Sequence, residues 1–262
     1  RPNSDAPRIW GVLVTYQRPS VLASTLSSLR AQTRVIDELV VVDNGSEDAV
    51  RRIADDTGAH YLAGHGNIGP AGGIALGMRF VLERATAGDW CLLIDDDDPP
   101  SRDSAVEELF GFAKDMLALD EFAAGVGLVG GRYSRRSGQM VRVDDDELRG
   151  PVRVDYIGGG HLPLYRCDVL ARIGVFDSRL FFGFEECEFG LRLGRHGYRL
   201  YVDGDPWRRD REAKGRMNLT PADLRTALDT AAWRRYYSLR NAVVLARRHG
   251  GAVAPFVVAT GG

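Results

Sequence analysis

Buried strands alternate with amphipathic helices at the start of this chain, and that alternation restricts the folds available to it. The run Ile-Trp-Gly-Val-Leu-Val-Thr at Ile9–Thr15 is apolar and β-branched without polar alternation, as expected of a strand buried on both faces. A second run of this kind occupies Leu39–Val42, and shorter ones follow at His60–Leu62 and Trp90–Ile94. Strands separated by helices predict a parallel sheet.

Helical segments fill the intervals between these strands. Pro19 begins the first helix, in which Leu22, Leu26 and Leu29 keep helical spacing. Further helices are predicted near residues 71–85 and 106–119, from Glu185 to about Gly197, and over a long arginine-rich segment at about Pro221–His249.

The second half of the chain is less regular. Short strands are predicted near residues 125–130, 140–143 and 154–157, with a last strand at Leu200–Asp203. We therefore predict an α/β fold with a mostly parallel central sheet flanked by helices and a smaller mixed sheet. Residues 1–218 should form the main domain and residues 219–262 a helical C-terminal extension packed on it.

Charge and composition exclude several classes of protein. With a net charge of −2 over 262 residues, the chain lacks the basic field that holds nucleic acid, so nucleic acid is not an expected partner. The three cysteines lie among apolar residues without zinc-site spacing, which predicts reduced structural thiols. No run approaches the roughly 18 apolar residues that span a bilayer, and no signal-peptide pattern is present. We expect a cytoplasmic protein, trimmed from a longer one whose flanks are a place for a membrane anchor.

Four consecutive aspartates, Asp95 to Asp98, follow the predicted strand Trp90–Ile94 directly. That position is the carboxyl edge of a parallel sheet, where ligands bind in open α/β folds. Crowded carboxylates repel one another unless a cation neutralises them, and their hard oxygens suit Mg²⁺ or Mn²⁺, which also bind phosphate. A metal-bound diphosphate is the favoured interpretation, and a solvated acidic turn before Pro99 is the alternative.

A glycine-rich segment at Gly64–Gly69 matches the dinucleotide fingerprint G-x-G-x-x-G, so a dehydrogenase must be considered. The fingerprint belongs in the first strand-to-helix turn, and the turn at Thr15–Pro19 contains no glycine. The match is therefore weak evidence for NAD. Glycines here and at Gly72 would let backbone and a helix N-terminus approach a nucleotide closely.

Acidic residues open another predicted helix, at Glu185, Glu186 and Glu188. Acids in a first turn are ordinary partners of the helix dipole. The preceding apolar loop Phe181–Phe184 favours a functional interpretation, because it could deliver a carboxylate into a closed site. The three side chains point in different directions around the helix, so they should not all face one ligand.

In order and spacing, a series of motifs covers nearly the whole chain and resembles the family 2 glycosyltransferases of GT-A fold, in particular actinobacterial galactofuranosyl- and rhamnosyltransferases. The matching pieces are Thr15-Tyr16-x-Arg18-Pro19, Asp43-Asn44-Gly45-Ser46, Asn67-x-Gly69-x-Ala71-Gly72-Gly73, Asp95-Asp96-Asp97, Gly158-Gly159-Gly160, Glu185-Glu186-x-Glu188-x-x-x-Arg192 and Tyr236-Tyr237-x-x-Arg240-Asn241. The resemblance implies an inverting sugar transfer from a nucleoside diphosphate, assisted by Mn²⁺ or Mg²⁺.

The resemblance also implies a role for each matched residue. Asp43 would accept a hydrogen bond from the nucleotide base, the metal would be held by Asp95 and Asp97, and Glu186 would be the catalytic base, which a helix N-terminus should help to keep ionised. The remaining donor-side residues are Thr15, Tyr16, Arg18, Asn67, Gly72 and Asp96. The acceptor side, formed with the smaller sheet, would include Gly159, Gly160, His161 and Glu185.

One departure from the family pattern concerns a histidine that usually follows the last strand as a metal ligand. The corresponding stretch, Pro206–Asp210, contains none. Arg208 or Arg209 is expected to neutralise the diphosphate instead, because a guanidinium matches phosphate geometry. The missing histidine also keeps open a non-catalytic scaffold that binds a nucleotide sugar, and a nucleotide-sugar pyrophosphorylase is the other alternative.

Neither the sugar nor the acceptor is fixed by the sequence. Galactofuranose on UDP and rhamnose on dTDP are both expected donors, and the acceptor is a glycan, a lipid-linked glycan or a small molecule. The arginine-rich C-terminal helix combines Trp233, Tyr236 and Tyr237 with cations, which suits either a structural brace or peripheral contact with the inner face of the plasma membrane.

Overall fold

The computed structural model describes residues 6–159, 162–219 and 231–251. Its centre is an eight-stranded sheet. The strands of this sheet are β1 (Ile9–Thr15), β2 (Glu38–Asp43), β3 (His60–Ala63), β4 (Trp90–Asp95), β5 (Ala123–Gly127), β8 (Pro151–Val154), β10 (Leu164–Arg166) and β11 (Arg199–Asp203). Their order across the sheet is β3-β2-β1-β4-β10-β5-β11-β8. The four sequence-predicted strands of the first third pair in parallel, which confirms the mostly parallel sheet.

Helices cover both faces of this sheet. The described helices are α1 (Pro19–Arg30), α2 (Asp48–Thr57), α3 (Gly69–Leu82), α4 (Ala105–Leu119), α5 (Cys167–Ile173), α6 (Glu185–Arg195), α7 (Gly204–Ala213) and α8 (Ala232–His249). Successive side chains of β1 alternate between two cores: Trp10 and Val12 pack with α3 and α6 on one face, whereas Ile9 and Leu13 pack with α1 and α4 on the other. No helix of the described ranges is both long and apolar enough to cross a membrane.

The pattern changes beyond β4, as the sequence indicated. Strand β10 inserts between β4 and β5 and runs antiparallel to both, and β8 is antiparallel to β11. The smaller sheet comprises β6 (Gly130–Ser134), β7 (Gln139–Val141) and β9 (Tyr156–Ile157). Both of its pairings are antiparallel, so it is not the mixed sheet that was predicted.

Within the described residues after the last strand, the structure has a helix that the sequence did not predict. Helix α7 follows the last strand directly and begins with Asp203 accepting from the backbone N–H of Asp205. Helix α8 begins at Ala232; the predicted start near Pro221 lies outside the described residues. All three cysteines are buried and unpaired, as expected of structural thiols.

Candidate active site

The carboxyl ends of β1, β2 and β4 lie side by side and carry the first group of candidate residues. Thr15 at the end of β1 is in register with Asp43 at the end of β2, and Val14 is in register with Asp95 at the end of β4. Three segments far apart in the sequence thereby meet at one edge of the sheet. Tyr16, which directly follows β1, is exposed at this edge.

Alternate aspartates of the acidic run face in different directions. Asp96 is buried: one oxygen accepts from the hydroxyl of Thr15 at 2.7 Å, and the other lies 2.7 Å from the Arg18 guanidinium. Arg18 also pairs with Asp97 at 2.5 Å. Asp96 therefore anchors the turn, which leaves Asp95 and Asp97 on the solvent side.

The Asp95 side chain is exposed to solvent on one side, and protein atoms surround the rest of it. This burial, followed by the negative charges of Asp97, Asp96 and Asp98, raises the pKa of Asp95 to about 6. The opposing effect of Arg18 is smaller. Negative charge is thus concentrated at a position where a cation would relieve it.

Two carboxylates at this edge fit a divalent cation that binds together with phosphate. Among the residues that the structure describes, no three His, Cys, Asp or Glu side chains form a ready-made metal site. Mg²⁺ is commonly held by only one or two carboxylates, with water and substrate phosphates completing the shell. Asp95 and Asp97 supply that number of ligands.

Asp43 is fully buried at the end of β2, where it closes a turn. Its carboxylate accepts from the backbone N–H groups of Gly45 at 2.8 Å and Glu47 at 2.6 Å, and from the Tyr61 hydroxyl at 3.0 Å. An ionised carboxylate has about four acceptor positions. The hydrogen bond that Asp43 would accept from a nucleotide base stays a prediction, and among the described residues three of those acceptor positions are already taken.

The glycine-rich segment leads into helix α3. Asn67 is exposed, and its side-chain oxygen accepts from the backbone N–H of Gly69 at 3.0 Å, which closes a tight turn. Gly72 is buried in the first turn of α3, where an added Cβ would collide with Ile68. The helix N-terminus is therefore directed at the same edge of the sheet as Thr15, with small residues near its end.

The first turn of α6 carries two further candidate carboxylates, Glu185 and Glu186. Glu186 is half-buried, and its Oε1 lies so close to Gly159 that a Cβ there would collide with it. Burial raises the pKa of Glu186 to about 7, with its own backbone N–H opposing the rise and the charge of Asp95 adding to it. The backbone N–H at the helix end opposes the rise, in the direction expected, but burial has the larger effect on this pKa.

Glu185 is more deeply buried than its neighbour. Within the described part of the chain, its Oε2 has no hydrogen-bond partner. Burial, and then the charges of Glu186 and Asp95, raise the pKa of Glu185 well above its usual range. The charge of Asp95 adds to the rise in both pKa values, and the loop before α6 contacts the start of α3 through the hydrogen bond from Ala71 N–H to the carbonyl of Phe181.

Glu188 takes part in an ion-pair cluster and, two residues after Glu186, lies on roughly the opposite side of α6 from it. It pairs with Arg192 at 3.1 Å, and its other oxygen lies 3.6 Å from His249 and 3.7 Å from Arg248. Despite burial, these partners lower its pKa. Glu188 therefore attaches α6 to the end of α8, and its carboxylate is occupied by these partners.

Two of the remaining candidates, Gly160 and His161, lie outside the described residues. Arg208 is on α7, where Nε donates to Glu212 at 3.0 Å and another guanidinium nitrogen donates to the carbonyl of Asp145 at 3.3 Å. Contact between Arg208 and a diphosphate stays a prediction that requires the side chain to leave these partners.

Replacing Glu185 by glutamine should stabilise the protein, and more so as the pH rises. A carboxyl whose pKa is raised on folding stabilises fully below its unfolded pKa, and this stability is lost as the pH rises through the folded pKa. Each pH unit in that interval costs about 1 kcal/mol of unfolding free energy, or roughly 2 to 4 °C in Tm. Thermal melts of Glu185→Gln and wild type between pH 5 and pH 8 should diverge towards pH 8.

Glu188→Gln is the matched control, since the pKa of Glu188 is lowered on folding. Its stabilising effect is present above the unfolded pKa and lost in acid, so this variant should lose most stability at pH 8. A difference between Glu185→Gln and wild type that is the same at every pH would contradict the first prediction.

Comparison with known proteins identifies several relatives. The model of the family described as "Glycosyl transferase family 2" matches residues 12–172. The galactofuranosyltransferase GlfT1 of Mycobacterium tuberculosis H37Rv is 34% identical over 201 residues, which cover 72% of this chain and 65% of the relative. GlfT1 of Mycolicibacterium smegmatis is 32% identical over 205 residues, covering 72% of this chain and 66% of the relative. The chain therefore spans less than two thirds of its M. tuberculosis relative.

Two solved structures resemble the overall architecture. GalNAc-T7 with UDP, GalNAc and Mn²⁺ superposes with a TM-score of 0.57 at 14% identity, covering 77% of this chain and 43% of that one. The mannosyltransferase PcManGT from Pyrobaculum calidifontis, in complex with GDP-Man and Mn²⁺, gives a TM-score of 0.53 at 21% identity, covering 98% of this chain and 80% of that one. At such identities, the likeness is one of fold.

Proposed function

Because this chain belongs to glycosyl transferase family 2, we propose that it transfers a sugar from a nucleoside diphosphate to an acceptor hydroxyl, inverting the anomeric carbon. The sequence-predicted GT-A fold is confirmed by its likeness to the solved glycosyltransferases. The observation that supports the proposal best is the contact between the loop before Glu185 and the N-terminus of α3, where the carbonyl oxygen of Phe181 accepts from the backbone N–H of Ala71 at 3.2 Å. This contact brings the acidic first turn of α6 towards the donor-side elements, so that a base could lie opposite a donor diphosphate.

The donor side is built from β1, β4 and α3. Thr15 and Arg18 line the turn that leads to the acidic run, and the N-terminus of α3 supplies small residues and backbone N–H groups. Mn²⁺ or Mg²⁺ would be held by Asp95 and Asp97. When bound, the cation neutralises the charge that develops on the diphosphate as it leaves.

On the acceptor side, Glu186 is the proposed base. The acceptor hydroxyl must lose its proton as its oxygen attacks the anomeric carbon, and a carboxylate within reach can take that proton. A single displacement from the face opposite the diphosphate inverts the configuration. A pKa of about 7 suits this task at neutral pH, since the base is then partly ionised and still basic.

Galactofuranose is the sugar that the relatives favour. Both mycobacterial relatives are named galactofuranosyltransferases, and they cover 72% of this chain. We therefore infer UDP-galactofuranose as the first donor to test, a glycan of the cell wall or a related polysaccharide as the acceptor class, and dTDP-rhamnose as the alternative donor.

A thermal-shift screen followed by product analysis tests the proposal. UDP, UDP-galactofuranose and dTDP-rhamnose are compared with and without Mn²⁺, because binding stabilises the fold in proportion to RT ln(1 + [L]/Kd). Slow, metal-stimulated release of nucleoside diphosphate from the stabilising donor supports a transferase. Binding without release would indicate a scaffold, and formation of a nucleoside triphosphate with added pyrophosphate would indicate a pyrophosphorylase.

Peripheral membrane contact through α8 yields a separate prediction. Its described sequence carries five arginines and no acidic residue, and Trp233, Tyr236 and Leu239 are 48%, 61% and 49% exposed. Aromatic side chains beside cations suit the interface of an anionic bilayer. The protein should sediment with vesicles containing anionic lipid, less so at high salt and little with zwitterionic vesicles.

A double variant, Arg234→Glu with Arg235→Glu, is the control for this prediction, since both side chains are exposed on α8. It should abolish sedimentation without lowering Tm appreciably. Wild-type protein that stays in the supernatant with anionic vesicles would show that α8 is only a structural brace.

A further inference from the structure

Asn241 lies at the centre of the contact between α8 and the loop that precedes α6. Its side chain is fully buried, and Nδ2 lies 2.9 Å from the carbonyl oxygens of Leu180 and Phe182 and 2.8 Å from that of Gly183. Its Oδ1 accepts from Nε of Arg240 at 2.9 Å. Two N–H groups are thus shared among three carbonyls of one short loop.

Arg240 extends the same attachment. Its guanidinium donates to the carbonyls of Arg179 at 2.9 Å and Leu180 at 2.6 Å. One turn earlier on α8, Tyr237 stacks on Phe181 with ring centroids 4.6 Å apart. Helix α8 therefore holds this loop by its backbone and by an aromatic side chain.

The loop adopts a backbone conformation that needs such support. Phe181, Gly183 and Phe184 have φ values of +64°, +77° and +70°. Residues other than glycine enter this region rarely and remain there when their surroundings hold them. Phe184 directly precedes Glu185, so the conformation of the loop sets where the carboxylates of α6 begin.

The other side of the loop contacts the donor-side helix. The carbonyl oxygen of Phe181 accepts from the backbone N–H of Ala71 at 3.2 Å, and an added Cβ on Gly69 would collide with that oxygen. The loop is thus held between α3 and α8. Its position relative to the donor depends on both contacts.

We propose that Asn241, supported by Arg240, is a positioning residue that fixes the loop at 180–184 so that Glu186 meets the acceptor hydroxyl beside the donor. Asn241 touches neither substrate; it acts through the loop carbonyls. The inference rests on the proposed function, in which Glu186 is the base. Helix α8 would thus contribute to the reaction by positioning the base.

Asn241→Leu tests the proposal, because leucine keeps nearly the same volume and removes both amide donors. We expect kcat for sugar transfer to fall about 10- to 100-fold, as a displacement of a catalytic group by about 1 Å can produce. The KM for the donor should stay within about twofold, since Thr15 and Asp95 lie on other elements. Arg240→Gln should give a smaller fall in the same direction.

Leu245→Ala is the matched control. Leu245 is fully buried on the same helix in a cluster with Cys187 and Leu191, against which Phe184 also packs, but its side chain makes no hydrogen bond to the loop carbonyls. It should lower Tm at least as much as Asn241→Leu, because it leaves a cavity, but leave kcat nearly native. An equal fall of kcat in both variants at equal Tm would show that Asn241 is only a packing residue.

Hydrogen exchange gives a readout that does not depend on activity. In Asn241→Leu, backbone amides of residues 181–188 should exchange faster than in wild type, while those of β1 and β4 keep their native protection. Unchanged protection of residues 181–188 would overturn the proposal. Absence of transfer by the wild type would instead overturn the proposed function, and the exchange result would still decide the role of Asn241.

Discussion

Glu186→Gln is expected to lower the rate of sugar transfer by roughly 10²-fold or more while donor affinity stays nearly native. Glutamine has the shape of glutamate but cannot take a proton from the acceptor hydroxyl. Donor affinity should persist because Thr15, Arg18 and the acidic run lie on other elements. Steady-state transfer rates and calorimetric titration with the donor measure the two quantities separately.

The pH dependence of wild-type transfer checks the same assignment. The base works when ionised, so kcat/KM should fall as the pH drops through about 7, the pKa of Glu186 in the free protein. Bound cation beside Asp95 would offset the negative charge that helps raise this pKa. The acid limb of kcat, which reports the substrate complex, should therefore lie at lower pH than that of kcat/KM.

Glu185→Gln and Glu188→Gln separate the candidates. Glu188 is occupied by Arg192, so its replacement should cost stability more than turnover. Glu185 is more deeply buried than Glu186, and this burial raises its pKa well above the usual range, so an acceptor hydroxyl has less access to it. If Glu186→Gln transfers sugar at nearly the native rate and Glu185→Gln does not, the base is Glu185.

Asp97→Ala should produce a second large effect, with opposite signs in the presence and absence of metal. With Mn²⁺, loss of a ligand should weaken UDP binding by about tenfold or more, in line with the cost of disturbing metal sites. Without metal, removal of this carboxylate takes away negative charge that repels the diphosphate and one of the two carboxylates paired with Arg18, so affinity should rise. Calorimetric titration with UDP, with and without Mn²⁺, distinguishes the two regimes.

Asp98→Ala is the control, because Asp98 is exposed, neighbours Asp97 and contributes only charge to Asp95. It should leave the response to Mn²⁺ intact. A response of Asp97→Ala to Mn²⁺ equal to that of wild type would remove Asp97 from the metal site.

The sequence predicted strands β1 and β4 of the candidate site well, because both are buried on both faces and their apolar runs are long. It did not predict β10 or α7. Strand β10 has only three residues, and its place in the sheet depends on pairing with strands distant in the chain. Helix α7 begins with Asp and Pro, which also suit a loop, so composition alone could not decide.

The candidate site shows the same division. The end of β4 and the first turn of α6 could be predicted from local sequence, because each follows a recognisable signal. The direction of each carboxylate could not, since it depends on partners elsewhere: Glu188 lies beside Arg248 and His249 at the end of α8, and Asp96 accepts from the hydroxyl of Thr15. Long-range partners of this kind leave no local pattern.

The close approach of Gly69 to the carbonyl of Phe181 has a consequence for redesign of the donor pocket. Any side chain at position 69 would push on the backbone that leads to the base, so a substitution chosen to admit a different sugar there would also disturb proton transfer. Libraries aimed at new donors should keep glycine at this position, keep Asn67, whose side chain accepts from the backbone N–H of Gly69, and vary Tyr16, which is exposed just after β1. Donor range and turnover could then be selected as separate properties.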